Sequence, residues 1–470
     1  MPLLSNKVIT EVLYWVTRKK WLILAFALSI ILFYVPSPEG LTPEGHRTLI
    51  IAVTALILIV GEVISLPAVG ILILVMEVLL GLDTSDGVAS SFMNDAVFFI
   101  MGSLMLAVAF VKQGWDSRIA LGIIRLTGNK TRNIVFGFTA ISALLSSFIG
   151  EHTVAALMLP LAMTLIRNTS KDHERVRELA AVLLFSIAYG SLIGSIGTPS
   201  GGGRNAILIT YLQLFDVSIS YIGWMKMVYP LVLLQIPILT ILILTSFKPE
   251  YKQLDTGVRK LVVEVAKLGE MTGRATLAIL IFLLVFAGWV FLSESLGLGT
   301  IALMGVFLYL VTGLVRWEDI NRNTHWGVII LFGSTISLGS YIKSTGAALW
   351  LANHLISITG SEMDAFPIFT DAIIVVLTAS LANILSSSAT VAVLSPITLN
   401  MAADPLHVGM VTAIASSFGY FTAVAAPACT IVYSSGMIRA KDFLRAGWKV
   451  GLASTALLLI YANTYWLIFK

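Results

Sequence analysis

Glu151 and Arg204 are the charges set deepest in apolar sequence, and each stands among residues able to hold an anion or a proton. Glu151 lies in Gly150-Glu151-His152-Thr153, and Arg204 closes Gly197-Thr198-Pro199-Ser200-Gly201-Gly202-Gly203 and is followed by Asn205. The second half of the chain has Ser386-Ser387-Ser388-Ala389-Thr390 and then Ala425-Ala426-Pro427-Ala428-Cys429. A guanidinium presents a planar fork to a carboxylate, hydroxyls and exposed helix N-termini attract anions, and an imidazole titrates near neutral pH. Three consecutive hydroxyls gather donors with little helix propensity, whereas isolated small residues such as Gly137 and Ser142 read as helix packing.

Three readings of Glu151 and Arg204 stay open. In the first they pair, and the guanidinium occupies roughly the place of a bound cation. In the second Arg204 binds the substrate and Glu151 carries a coupling proton. The third is a purely structural ion pair, which does not by itself imply stabilisation. His152 has either a proton or substrate role or a neutral hydrogen-bonding one. The six histidines, at 46, 152, 173, 325, 354 and 407, show no metal-ligand spacing. Gly201-Gly202-Gly203 has no following Gly-Lys-Ser/Thr, which argues against an ATPase, and the single Cys429 excludes an intramolecular disulfide.

The elements that must position these residues are membrane helices. Of 470 residues, 57% are hydrophobic and 12% charged, with a mean hydropathy of +0.92, too little polar surface for a soluble globule of this length. Roughly 20 apolar residues cross the hydrocarbon as a helix. That length predicts spans near 21–37, 46–63, 64–82, 96–113, 178–211, 223–246, 275–293, 299–315, 326–343, 406–436 and 446–468. The expectation is an all-α polytopic membrane protein with about 11 transmembrane helices. Segments 133–166 and 371–403 are folded around their polar motifs and read as two re-entrant hairpins; 178–211 and 406–436 read as broken spans. Lipid cannot satisfy a broken backbone, so such breaks must face protein or water.

Charge supports this topology. Lys and Arg collect at 118–132, 167–177, 248–274 and 439–445, whereas Asp83, Asp86, Asp95, Asp216, Glu294, Glu362, Asp364 and Asp371 mark the opposite side. By the positive-inside rule the N-terminus is cytoplasmic and the C-terminus outside. A net charge of +4 follows from the same loops and needs no nucleic acid. Residues 1–20 read as a cytoplasmic or interfacial segment, and Arg118 and Arg125 as one face of an interfacial amphipathic helix. Gly102-Ser103 with Lys112 recurs as Gly333-Ser334 with Lys343 at identical spacing. The halves 21–246 and 275–470 therefore read as an inverted repeat joined by the cytoplasmic connector 247–274. Matching breaks in two such halves point to the binding site of a secondary transporter.

At these motifs, and from about Leu41 onward, the chain resembles the divalent anion/sodium symporter family of di- and tricarboxylate and sulfate transporters. That family has Ser-Asn-Thr-Ala-Thr at each hairpin tip with Pro six residues later. Here Gly150-Glu151-His152-Thr153-Val154 leads to Pro160 and Ser386-Ser387-Ser388-Ala389-Thr390 to Pro396. Residues Gly197 to Asn205 fit its Gly-Thr-x-x-Gly-Thr-Pro-Pro-Asn in register, and Ala426-Pro427-Ala428-Cys429 stands where Thr-Pro-Pro-Asn is usual. The resemblance implies scaffold and transport domains, an elevator movement, a homodimer, and a bilayer setting, expected to be a prokaryotic inner or plasma membrane. It implies substrate contacts at Gly150, Glu151, His152, Thr153, Arg204, Asn205, Ser386, Ser387, Ser388, Thr390 and Pro427. It implies coupling-ion positions at Ser146, Glu151, Gly197 and Ser387. The family's Asn is replaced by Glu151 and by Ser387, where sodium coordination is expected.

The sequence thus predicts a secondary active transporter of small multivalent anions, foremost dicarboxylates, with no organic cofactor and with Na+ or H+ as the coupling ion. Coupling to protons or anion exchange is the first expectation. Sodium-coupled symport of dicarboxylate, sulfate or phosphate is the alternative, ahead of an anion channel or an intramembrane enzyme using Glu151 and His152.

Overall fold

The computed structural model describes residues 20–469 apart from 62–63, 114–121, 123–126, 171, 267–271, 360–366, 402–403 and 424. The N-terminal segment to residue 19 and the Arg118 to Arg125 face lie outside the described residues. Among those described, every extended element is a helix, and the one isolated bridge joins Lys130 to Gln253. The chain divides into two compact units, Met1–Asn94 with Trp326–Ser361, and Asp95–His325 with Glu362–Lys470.

In the first unit Leu66–Leu79 packs on Trp326–Ser344 and Lys20–Tyr34 on Pro43–Val60. Glycine makes the first contact possible: a Cβ at Gly70 would run into Ser334 Oγ and the Ile330 carbonyl. Ser337 donates to the buried Glu77 carboxylate at 2.8 Å, and Tyr341 to Asp83 at 3.0 Å. Thr42 caps Pro43–Val60 by accepting from Gly45 N, and its hydroxyl also donates to the Thr345 carbonyl at 2.7 Å.

The second unit holds both polar motifs, and eight of its helices matter for them. The first hairpin is α1 (Thr131–Ile149) and α2 (Glu151–Thr169), and the first broken span is α3 (His173–Gly194) and α4 (Gly203–Leu214) with a 3-10 turn at Pro199–Gly201. The second hairpin is α5 (Pro367–Ala382) and α6 (Ser387–Thr398), and the second broken span is α7 (Pro405–Ala415) and α8 (Pro427–Tyr433). Helix α3 is central and almost wholly buried, against α1, α2 and α8. The packing also crosses between halves: α2 lies on α8 and α4 on α6, with Tyr211 donating to the Ala392 carbonyl at 3.1 Å.

Residues of the connector are stitched to the foot of the first hairpin. Thr131 N donates to Lys252 O and Leu254 N to Asn129 O, both at 2.9 Å. Helix Asp255–Ala266 then packs on α2, where Lys260 donates to Asn168 at 2.6 Å. Lys112 pairs with Asp319. That hydrogen bond, with one from Arg316 N, holds the Asp319 carboxyl below its ordinary range.

Six helices among the described residues are long and apolar enough to cross a bilayer. Expected spans such as 64–82 and 299–315 are filled by 14-residue helices, Leu66–Leu79 and Leu298–Val311. At 1.5 Å per residue each covers about 21 Å, short of the roughly 30 Å hydrocarbon core. Helix α1 meets the length criterion as well, so length does not separate a crossing from a hairpin arm.

Candidate functional site

Gly150 is the pivot of the first motif. It ends α1 and begins α2 with φ 83° and ψ 150°, a conformation that only glycine adopts without strain. Glu151 follows in the first turn of α2, where the helix dipole favours a carboxylate. Its Oε2 accepts from Arg204 Nη2 at 3.0 Å and from Ser195 Oγ at 3.1 Å. The ion pair is sealed: the side chains are 2% exposed for Arg204 and 11% for Glu151. Arg204 Nη2 also contacts Ser195 Oγ, while its buried Nε has no hydrogen-bond partner.

The break itself is held by protein donors. Ser147 Oγ donates to the Gly194 carbonyl at 2.8 Å, and Thr198 Oγ donates back to the Ser147 carbonyl. Trp224 Nε1 takes the Ile196 carbonyl at 2.8 Å. Asn205 Nδ2 bridges the carbonyls of Ser195 and Thr198 at 2.8 and 2.7 Å. Asn205 therefore ties the loop together with its amide, and its Oδ1 is buried with no hydrogen-bond partner. Ser146 is buried and donates to Ala143 O at 3.1 Å, and a Cβ at Gly197 would meet Ser147 Oγ at 3.0 Å. Thr153 and His152 are half-buried. The His152 ring stands edge to face with His325, centroids 5.3 Å apart, so the fold makes a histidine pair from residues remote in sequence.

In the second motif Ser386 is the N-cap of α6 and accepts from Ala389 N at 3.3 Å. Thr390 Oγ is already used, donating to Ser386 O at 3.0 Å. Ser387 is 2% exposed, and neither its hydroxyl nor that of Ser395 has a hydrogen-bond partner. A buried hydroxyl left without a partner costs free energy. Ser388 is half-buried. Pro427 opens α8 from an exposed position, with Ala426, Ala428 and Cys429 buried around it. The structure thus joins Glu151, Arg204, Ser195 and Asn205 into one cluster and leaves Ser387 as a separate orphan hydroxyl. No group of three metal ligands occurs among the described residues.

The match to known proteins covers the chain. Residues 17–470 match the family described as sodium:sulfate symporter transmembrane region. The chain belongs to this family. Its members are transporters integral to the membrane. The sodium-dependent dicarboxylate transporter SdcS of Staphylococcus saprophyticus is 27% identical over 468 residues, covering 93% of this chain and 88% of the relative. The sodium-dependent high-affinity dicarboxylate transporter 3 of Caenorhabditis elegans is 26% identical over 457 residues, covering 86% and 80%. In fold, the YdaH transporter of Alcanivorax borkumensis aligns with a TM-score of 0.53 at 13% identity, over 81% of this chain and 87% of that one.

Sequence reasoning missed Ser195, Ser147, Trp224 and His325, and also Asn383, whose Nδ2 donates to the Phe418 carbonyl at 3.0 Å. One signal was available. Ser147 stands four residues before Glu151 as Asn383 stands four before Ser387.

Proposed function

We propose that this family member is a secondary active transporter of small dicarboxylates. The observation that carries the reading is the Glu151–Arg204 cluster at one break and the orphan Ser387 hydroxyl at the other, held in one unit by packing of α2 on α8 and α4 on α6. Buried polar groups of this kind, at discontinuous helices, suit a carboxylate substrate and its coupling ion. Elevator movement, a homodimer, a cytoplasmic N-terminus with the C-terminus outside, and a bacterial inner or plasma membrane complete the proposal.

Sodium is the coupling ion we favour. The relatives named above are sodium-dependent dicarboxylate transporters, and Glu151, the group the proton reading needs, is already committed to Arg204 and Ser195. Anion exchange is the second reading, favoured by the guanidinium fixed inside the first motif. Uptake of succinate into proteoliposomes under imposed gradients decides between them. Accumulation should follow an inward sodium gradient; uptake that ignored sodium and followed pH or a trans anion would overturn sodium coupling.

Ser387→Ala should raise the half-saturation concentration for succinate about tenfold, since a hydrogen bond to a charged group contributes about 1.5–3 kcal/mol. Thr390→Ala should have the smaller effect, because its hydroxyl is used within α6. Unchanged half-saturation in Ser387→Ala would remove this hydroxyl from the site.

A further inference from the structure

The second break, like the first, is pinned by the hairpin beside it, and the pinning residue is Asn383. Its Nδ2 donates to the Phe418 carbonyl at 3.0 Å, and its Oδ1 accepts from Phe421 N at 2.8 Å. Its main-chain carbonyl accepts from Thr422 Oγ at 3.1 Å. The first break repeats this pattern with Ser147: a side chain holds a carbonyl of the break, and a threonine of the break, Thr198, returns a bond to the main-chain carbonyl. Ser147 stands four positions before Glu151 and Asn383 four before Ser387, the second residue of each hairpin motif. The same exchange at equivalent places in two halves is not accounted for by local helix capping, since each bond spans 35 to 51 residues of chain.

The two clamps differ in reach. Ser147 offers one hydroxyl, and its break has further donors in Trp224 and Asn205. Asn383 supplies both a donor and an acceptor, so it sets the carbonyl of Phe418 and the N–H of Phe421 together; Tyr189 adds a bond to the Tyr420 carbonyl at 2.7 Å. Unwound carbonyls and N–H groups are what a discontinuous helix offers to ions and substrate, so their orientation decides what the break can bind.

We propose that Ser147 and Asn383 are repeat-equivalent clamps, and that Asn383 is a positioning residue that orients the backbone of Phe418 to Thr422 for ligand at the second break. The ligand role rests on the transport reading above; the clamp itself does not.

The test uses the full-length protein in lipid, as wild type, Asn383→Ala, Asn383→Asp and Ser147→Ala. Amide hydrogen exchange reads the clamp, and proteoliposome uptake reads half-saturation for sodium and for succinate separately from the maximal rate. Asn383→Ala should lower protection at residues 418–422 about tenfold with no change at 194–198, and Ser147→Ala should do the reverse. Half-saturation for succinate and sodium should rise at least about fivefold in Asn383→Ala, with a smaller change in maximal rate. Asn383→Asp keeps the acceptor for Phe421 N and loses the donor, so it should fall between; it also carries the test if the alanine variant does not insert. Unchanged protection at 418–422 would overturn the clamp. Lost protection with both half-saturations unchanged would reduce Asn383 to a structural tie. A wild type that carries no succinate would sink the transport reading, and the exchange measurement would still decide the clamp.

Discussion

Arg204→Gln is expected to be severely destabilised, because it strands the Glu151 carboxylate in a buried setting with Ser195 as its remaining donor among the contacts described. Removing one partner of a buried pair costs about 3–5 kcal/mol, since the other charge loses compensation without regaining water. Glu151→Gln should suffer similarly, with the guanidinium now the lone charge. The double variant should recover stability relative to the worse single change, because no uncompensated ion remains. Transport should not return with it if the cluster also serves the substrate. A double-mutant cycle on thermal unfolding measures the coupling. Effects that add with no interaction energy would show that the two charges act independently, against the geometry of a 3.0 Å pair.

Gly194→Leu should abolish assembly of the native unit. Gly194 is the last residue of α3 and lies so close to α1 that a Cβ would collide with the Ala143 carbonyl and with Ser146 Oγ. Backbone cannot rotate aside as a side chain can. Even Gly194→Ala should cost about 1–3 kcal/mol, the usual toll of overpacking a tight core, and it should also disturb the Ser147 bond to the Gly194 carbonyl. Thermal stability of the purified variants checks both changes. A Gly194→Leu protein with wild-type unfolding temperature would mean that α1 and α3 do not pack this closely.

Much of this was legible in the chain because membrane sequence is strongly constrained. Apolar runs fixed by the bilayer announce helices, and polar, glycine-rich interruptions inside them announce breaks. Glu151 and Arg204 were conspicuous by charge alone, and of the three readings left open for them, the structure has the two in contact. Ser195 was hidden because serine is common where helices pack, and nothing in Gly194-Ser195-Ile196 distinguishes a donor to Glu151 from a spacer. Asn383 and His325 were hidden for another reason: their partners lie far along the chain, and only folding brings Phe421 or His152 to them. Thr390 shows the converse. The motif marks it as a candidate ligand group, and its hydroxyl also donates within the helix that carries it, to the Ser386 carbonyl.

The compact units also divide the chain differently from its sequence halves. Gly102 and Gly333, equal in spacing to their lysines, pack in different units: Gly102 against Ala302, and Gly333 against Phe92. Equal sequence therefore does not impose equal surroundings. Each copy meets whatever neighbour the rest of the chain supplies.

The packing of α2 on α8 and of α4 on α6 makes the two halves depend on each other for their interiors. Each supplies the wall against which the other's polar break is shut away from lipid, and a lone half would present that break to hydrocarbon that cannot solvate it.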